Sequence, residues 1–360
     1  MLKKTLLFSF LMMLSLQTFA QKTIAEITKG AIKKEGFFNY YWDEDAGKVY
    51  LEIKNFDTEF LYVNSLSAGI GSNDIGLDRG KLGSTSVVEF RRVGSKVLMV
   101  EPNYSYRAVS NNADEVEAVK QAFAESVLQG FKVEAEENGI VLIDITPMIL
   151  TDSYGVANSL NRSRQGSYRF DASRSAIYPP MLKNFPKNSE FEATITLVGS
   201  ATGGFIRSVT PSPDAVTVRM HYSFVELPDA GYKPRKLDPR SGYFGTSYMD
   251  YATPIQEDIR KRFINRHRLA KKDPSAKVSE AVEPIIYYVD RGAPEPIKSA
   301  LIEGGKWWNQ AFEAAGYKNA FQVREMPADA DPMDVRYNLI QWVHRSTRGW
   351  SYGSSVSDPR

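Results

Sequence analysis

Cysteine is absent from this sequence of 360 residues. Its absence excludes disulfides, thiolate metal sites and a cysteine nucleophile. Histidine is nearly absent as well, because the chain has only His221, His267 and His344. A catalytic zinc generally takes three protein ligands, most often histidines, and no two of these three have the spacing of a shared metal site. No residue of the sequence is therefore predicted to be catalytic or to bind a metal.

An excess of charge of one sign is also lacking. The chain has 45 basic and 43 acidic residues, and Lys3 and Lys4 supply the whole of the positive excess. Without a general positive field, the sequence predicts no nucleic-acid partner. After the N-terminal leader, no apolar run reaches membrane-spanning length, so we expect no integral membrane segment once that leader is removed.

The leader is the clearest targeting signal. Lys3 and Lys4 precede the short apolar run Leu6–Leu16, and Thr18–Ala20 has the small-residue ending of a cleavage site. This pattern is typical of a signal peptide, which we assign to residues 1–20. The mature protein is therefore expected to be exported, to the periplasm or to the extracellular space.

The region after the leader has the pattern of β structure. The chain contains 19 Tyr and 19 Phe, residues that favour strands, and Phe37–Trp42 and Lys48–Ile53 predict a hairpin around an acidic turn. Ala215–Leu227 alternates so regularly that one face is apolar and His221 falls on the opposite face, which we expect to be solvent-facing. We therefore predict a β-rich N-terminal domain, or domains, over residues 21–275.

Other stretches in this region predict helices or loops. Glu115–Leu128 has apolar residues at helical spacing, and Ile255–Ala270 predicts a helix with a basic outer face. Residues 151–190 are polar and aperiodic, which favours a long surface loop over a single-stranded nucleic-acid site. Gly69–Gly76 lacks the glycine spacing of a phosphate-binding loop. We interpret it as a connection between strands, with a functional loop near an active site as the alternative.

The last fifth of the chain predicts strand, helix, strand and strand. The strands are Pro284–Val289, Phe321–Glu325 and Asp334–Val343, and the helix is Pro296–Ala315, ended by Gly316 as its C-cap. This order indicates a mixed sheet backed by a helix. The fold class that the whole sequence predicts is therefore α+β.

The amino-acid sequence of this C-terminal region resembles the sequences of a known family. The stretches that carry the resemblance are Ile285–Asp290, Ala300–Asn309, Gln310–Gly316, Asp334–Asn338 and Gly349–Gly353. They are similar to sequences of large, secreted bacterial zinc-dependent metallopeptidases, which place a long β-rich domain before a zincin catalytic domain. The resemblance implies that residues 276–360 form an incomplete zincin-like catalytic domain, the first part (strand–helix–strand–strand) of its mixed sheet.

In that family an HExxH-type motif binds zinc and activates the water that hydrolyses a peptide bond. The motif does not occur in these 360 residues. The resemblance therefore implies the N-terminal portion of such an enzyme, itself inactive and without zinc, whose full-length form has a zinc cofactor and a protein or peptide substrate. Trp350, Tyr352 and Gly353 are the candidates for the substrate cleft. The alternatives are a non-enzymatic, secreted β-rich binding module and a peptidase-like pseudoenzyme.

Overall fold

The structure is a computed structural model that describes residues 22–347 and 349–360. The predicted signal peptide, residues 1–20, lies outside these residues. Strands outnumber helices, and most of the strands belong to one large sheet. Among the residues described, no helix combines the length and the apolar character needed to cross a membrane.

The strands of the N-terminal region are β1 (Ile32–Lys34), β2 (Tyr40–Asp43), β3 (Lys48–Ile53), β4 (Glu59–Ala68), β5 (Lys81–Val93), β6 (Lys96–Glu101), β7 (Tyr106–Arg107), β8 (Ser126–Glu137), β9 (Ile140–Asp144), β10 (Gly166–Phe170), β11 (Ala176–Ile177), β12 (Lys183–Asn184), β13 (Asn188–Ala201) and β14 (Ala215–Val225). They are followed by β15 (Gly245–Asp250), β16 (Arg260–Ile264), β17 (Ser279–Glu280), β18 (Ile285–Val289), β19 (Tyr317–Lys318), β20 (Phe321–Glu325) and β21 (Asn338–Ile340). The α-helices are α1 (Ile24–Ile27), α2 (Ala113–Ala122), α3 (Thr146–Ile149), α4 (Val156–Arg162), α5 (Gly204–Val209), α6 (Ile297–Lys306) and α7 (Asn309–Ala314).

A single antiparallel sheet takes up most of the N-terminal region. Its strand order is β1-β2-β3-β9-β8-β6-β5-β4-β14-β13-β10, and β11 and β12 also pair with β13. The sheet curls until its ends approach each other: the Phe37 N–H donates to the Phe185 carbonyl at 2.8 Å. The Phe38 N–H likewise donates to Ser189 Oγ at 2.9 Å. The result is a nearly closed sheet, which confirms that this region is β-rich.

Aromatic rings fill the interior of this sheet. The centroid of the Phe38 ring lies 5.1 Å from that of Phe60 and 5.8 Å from that of Phe224, and Phe60 lies 5.1 Å from Phe90. Phe60, Phe90 and Phe224 are each at most 1% exposed. Ring pairs of this kind contribute about 0.5–1.5 kcal/mol beyond the burial of their area. The predicted apolar face of Ala215–Leu227 is part of this core, since Phe224 belongs to it.

Two stretches predicted as helices contain strand residues. The helix predicted over Glu115–Leu128 ends at Ala122, where the backbone becomes extended and leads into β8, which pairs with β6. The helix predicted over Ile255–Ala270 is wrong, because Arg260–Ile264 is β16 and pairs with β15. In both places, pairing with a neighbouring strand prevails over the helical spacing of apolar residues.

The predicted surface loop over residues 151–190 is also wrong. This stretch contains α4 and the strands β10, β11 and β12, and all three strands pair with β13. Such short polar strands give no alternating pattern long enough to be recognised in the sequence. The stretch therefore extends the large sheet instead of crossing its surface.

The C-terminal region has the predicted order of strand, helix, strand and strand. β20 and β21 lie on either side of β18, and both run parallel to it, so the described part of this sheet is parallel and not mixed as predicted. Long connections return the chain to the same end of the sheet, as parallel pairing requires. α6 and α7 connect β18 to β20, with a break at Trp307 and Trp308 where the sequence predicts one continuous helix. Gly316 follows α7 with a φ of +88°, the left-handed conformation that favours glycine after a helix.

The last predicted strand is shorter than expected. The sequence predicts Asp334–Val343, whereas only Asn338–Ile340 pairs with β18. The residues before it form a turn, in which the Tyr337 N–H donates to the Asp334 carbonyl at 3.0 Å and Arg336 pairs with the Asp334 carboxylate. Asp334 favours a turn at this point, and the strand therefore begins later than the apolar residues after Asp334 predict.

Candidate functional site

β13 and β14 carry a buried group of charged side chains. Glu192 lies directly opposite His221 across the two strands, and Glu190 lies opposite Ser223. Because side chains alternate along a strand, these residues share the face that points away from the aromatic core. His221 is 7% exposed, Glu190 is 2% exposed and Glu192 is 1% exposed. We call Glu190, Glu192 and His221 the carboxylate–histidine cluster.

The predicted solvent-facing position of His221 is wrong. Alternation along β14 does place this residue on the face opposite the core, but the C-terminal region lies over that face. Asn188 Nδ2 donates to the Met333 carbonyl at 2.8 Å, and the Val335 N–H donates to Asn188 Oδ1 at 3.1 Å. Met333 is 145 positions from Asn188, so the pattern of the strand gives no sign of this cover.

Both ring nitrogens of His221 contact carboxylates. Nδ1 lies 3.1 Å from Glu192 Oε2, Nε2 contacts Glu190 Oε2, and Ser223 Oγ donates to the same Glu190 oxygen at 2.6 Å. Burial alone lowers the pKa of His221, but the hydrogen bonds and charges of the two glutamates outweigh burial and raise the pKa to about 9. The imidazole is therefore protonated at neutral pH, and both of its N–H groups donate.

The charges of the cluster are balanced by a neighbouring arginine. Arg219 Nε lies 3.7 Å from Glu192 Oε1, so that two carboxylates face one guanidinium and one imidazolium. The Tyr178 ring lies 4.5 Å from the guanidinium. A protonated imidazole has no lone pair for a metal or for a substrate proton. The arrangement therefore acts as a structural ion network rather than as a general base or a set of ligands.

The residues present do not fit a zinc site. His221 is engaged through both ring nitrogens, and His267 and His344 are exposed in other parts of the fold. Across the described ranges, 22–347 and 349–360, no group of three or more histidine, aspartate or glutamate side chains is arranged to hold a metal ion.

A second assembly joins a glycine-rich loop to the C-terminal region. This loop, residues 69–80, connects β4 to β5, and the Ile70 N–H holds it closed by donating to the Leu77 carbonyl at 2.8 Å. Gly69 permits this closure, since a Cβ there would lie 2.2 Å from the same carbonyl oxygen. The glycine-rich loop thus connects two strands and is also packed against residues that are distant in sequence.

Arg345 anchors the segment 341–352 on this loop. Its Nε and Nη2 donate to the two carboxylate oxygens of Asp78 at 3.1 and 3.0 Å, and both side chains are at most 10% exposed. The Ser346 N–H donates to the Gly71 carbonyl at 2.7 Å. The hydrogen bond with Asp78 raises the pKa of Arg345, which therefore stays charged. We call these interactions the loop–segment contact.

The predicted cleft residues differ in their surroundings. The rings of Trp350 and Tyr352 lie 5.9 and 5.7 Å from the Arg345 guanidinium, within the range of cation–π contacts. Gly353 is exposed, and apart from its chain neighbours nothing lies within 4 Å of the place that a Cβ would take. The structure therefore gathers Trp350 and Tyr352 around Arg345 and leaves Gly353 apart.

Sequence reasoning missed the residues that hold both assemblies together. Glu190 and Glu192 have the spacing of one strand face, but a single sequence does not give the register that sets them against His221. Asp78 and Arg345 are 267 positions apart, and neither belongs to a local motif. Only the fold brings these partners together.

Comparison with known proteins assigns the chain to a family. A family model described as "Domain of unknown function (DUF5117)" matches residues 80–272, more than half of the chain. The chain belongs to the DUF5117 family. A second model, "Domain of unknown function (DUF5118)", matches residues 21–69. No curated protein and no solved structure matches the chain.

The DUF5117 and DUF5118 matches share one folded unit. Strands β1–β4 fall in the DUF5118 match, and all of the other strands of the large sheet fall in the DUF5117 match. β4 nevertheless pairs with both β5 and β14, and β3 pairs with β9. The glycine-rich loop lies at the border between the two matches. The matches therefore describe two parts of one sheet, each of which completes the other.

Proposed function

We propose that this chain is the N-terminal portion of an exported zinc-dependent metallopeptidase, in which the large N-terminal sheet is followed by the first part of a zincin-type catalytic domain. The activity proposed for the whole protein is the hydrolysis of peptide bonds in a protein or peptide substrate. The observation that carries the proposal is the C-terminal unit. There, β18, the helices α6 and α7, β20 and β21 follow one another in this order, and all three strands are parallel.

Residues that resemble the metallopeptidase family occupy the core of that unit. Val289, in the first of the similar stretches, is fully buried and belongs to one apolar cluster with Ala293 and Val323. Gly305, in the second stretch, lets α6 approach β20 closely, since a Cβ there would lie 2.6 Å from Val323 Cγ2. Packing constrains these positions, which supports a shared fold as the reason for the similarity.

The loop–segment contact is consistent with the proposal. Within the segment 341–352, the described residues form no helix or strand, and Asp78 and Arg345 hold that segment against the large sheet. Trp350 and Tyr352, the candidates for the substrate cleft, belong to the same segment. In this proposal the large sheet and its glycine-rich loop order the segment that leads to the active site, and the zinc ligands are residues other than those described.

The coding sequence downstream of residue 360 provides the test. The proposal expects an HExxH motif there, and it expects the protein that contains this motif to bind stoichiometric zinc and to cleave an unstructured protein such as casein. Zinc is measured by elemental analysis of the purified protein, and cleavage is measured by gel electrophoresis. Replacing the glutamate of the motif by glutamine is expected to abolish cleavage and to leave zinc bound, because this glutamate is not a ligand.

Other outcomes separate the alternatives. An in-frame stop codon directly after residue 360 would favour the secreted binding module, and a motif without its glutamate would indicate the pseudoenzyme. Tight, stoichiometric zinc binding by residues 22–360 alone would contradict the assignment of the ligands to other residues.

A further inference from the structure

A groove of about 850 Å³ lies in the C-terminal region. Its walls are formed by the segment 272–284, by α6 and α7, and by β19 and β20. This volume is within the usual range of ligand-binding pockets. The groove is separate from the loop–segment contact, because none of its lining residues belongs to the glycine-rich loop or to the segment 341–352.

Basic side chains from four different elements converge on this groove. They are Lys272, Lys306, Lys318 and Arg324. A run of solvated charges usually lies along one face of a single element, whereas these four come from the segment 272–284, α6, β19 and β20. Like charges that converge on one groove repel each other and attract anions.

The two carboxylates that line the groove are already paired. Glu280 Oε2 lies 2.9 Å from Lys272 Nζ. Glu325 Oε1 lies 2.8 Å from Nζ of Lys298, which is not a lining residue. Glu280 also attracts Lys318, which lies opposite it across β17 and β19, but neither carboxylate forms a salt bridge with Lys306, Lys318 or Arg324.

These three basic side chains lie near an apolar surface. Among the residues that the structure describes, Lys306, Lys318 and Arg324 make no salt bridge. Ile302 and Phe321 contribute apolar side chains to the same groove. The Arg324 guanidinium donates to Gln322 Oε1, which is not a charged partner. Apolar surface beside cations without a salt bridge fits a ligand that carries both carboxylates and apolar side chains.

We propose that this groove binds an extended acidic peptide, whose carboxylates pair with Lys306, Lys318 and Arg324 and whose apolar side chains contact Ile302 and Phe321. The guanidinium of Arg324 suits bidentate pairing with a carboxylate. Charge complementarity of this kind selects acidic over basic sequences. The proposal rests on the shape and charge of the groove, and it does not depend on the proposed peptidase activity.

A labelled peptide of alternating glutamate and leucine provides the probe. Peptides of the same length that alternate glutamine with leucine, or lysine with leucine, provide the controls. Fluorescence anisotropy with the mature chain is expected to show saturable binding of the acidic peptide and no saturable binding of the other two. Added salt is expected to weaken the binding, because it screens exposed charges.

The variant K306E/K318E/R324E tests the residues themselves. Reversal of the three charges is expected to weaken binding of the acidic peptide roughly tenfold or more, because attraction is replaced by repulsion. The matched control makes the same three charge reversals at exposed lysines of β6, α2 and β8, namely Lys96, Lys120 and Lys132. This control is expected to bind like the unmodified protein, and circular dichroism checks that both variants are folded.

Three results would overturn the proposal. They are the absence of saturable binding, equal binding of the three peptides, and equal weakening by the two triple variants. Displacement of the peptide by inorganic phosphate at a similar concentration would also overturn it, since this would indicate a site for small anions rather than for a peptide.

Discussion

His221 lies between two glutamates on a face of the sheet that the C-terminal region covers. At this position, burial and pairing with carboxylates have opposite effects on the pKa of the imidazole. Burial disfavours a charged imidazole, whereas two adjacent carboxylates favour it. Because the carboxylates prevail, the residue is a cation at neutral pH, and its loss would leave Glu190 and Glu192 as buried, mutually repelling charges.

The carboxylate–histidine cluster makes stability depend on pH. The pKa of His221 is raised from 6.5 to about 9 in the folded protein, so the folded state binds this proton more tightly than the unfolded state does. The stabilisation is therefore complete below pH 6.5 and is lost as the pH rises through about 9. We expect the free energy of unfolding, measured by urea denaturation, to fall by about 3 kcal/mol across this window.

The variant E190Q/H221Q/E192Q is the control for this prediction. It keeps side chains of similar size and removes the titrating histidine together with both carboxylates. Its free energy of unfolding is expected to change much less between pH 6.5 and about 9. If both proteins lost the same stability over this range, groups other than the cluster would be responsible.

The glycine-rich loop connects two strands and also anchors the segment 341–352. It closes on itself between Ile70 and Leu77, and the closed form presents Gly71 and Asp78 to the segment 341–352. The conformation of the loop and the anchoring of the segment are therefore linked. A change inside the loop is therefore expected to weaken the anchoring of the segment 341–352.

Gly69→Ala tests this link. The added Cβ would lie 2.2 Å from the Leu77 carbonyl oxygen, so we expect the loop to open and the protein to lose about 1–3 kcal/mol of stability, as in an overpacked site. Hydrogen exchange at the amides of Ile70 and Ser346 is expected to become faster. Unchanged exchange at Ser346 would contradict the link between loop and segment.

Gly204→Ala is the matched control for that variant. Gly204 begins α5, and nothing lies within 4 Å of an added Cβ. Alanine at such a site restricts the unfolded chain, so stability is expected to stay the same or to rise by about 0.4–1 kcal/mol. Exchange at Ile70 and Ser346 is expected to stay the same.

Local chemistry predicts some of these elements closely and others not at all. The strand predicted over Phe321–Glu325 is β20 with the same bounds. The strand predicted over Ala215–Leu227 contains the whole of β14, since both stretches have an alternating or apolar pattern within a few residues. Arg260–Ile264 has no such pattern and becomes a strand only through its partner β15. The ion pair of Asp78 and Arg345 cannot be predicted in this way, because nothing in the local sequence around either residue indicates the other as its partner.

The whole molecule is held together by pairings between regions that sequence comparison separates. The DUF5118 match supplies β1–β4, and β4 lies between β5 and β14 of the DUF5117 match. Neither part forms the nearly closed sheet without the other. The boundary between the two matches is therefore a boundary in sequence and not in structure.

Truncation tests whether the two matched parts depend on each other for folding. A chain that begins at residue 70 lacks β1–β4, and β5, β9 and β14 would each lose a partner strand. Exposed edges of this kind promote aggregation, so we expect the shortened protein to be insoluble, as measured by fractionation after expression. A chain that begins at residue 31 lacks only α1 and is expected to stay soluble. A soluble, cooperatively unfolding 70–360 chain would contradict the prediction.

The pairing of β4 with β14 also has a consequence for the time course of folding. Tyr62 lies opposite Phe224 in this pair, so the sheet cannot be completed until most of the N-terminal region has been synthesised. Contacts between such distant positions form slowly, because the intervening chain must be brought together before the contact stabilises it. Until β14 arrives, β4 has an unpaired edge that other chains are able to join. The time between the synthesis of β4 and that of β14, rather than the stability of the folded protein, is therefore expected to determine what fraction of this protein reaches its native state.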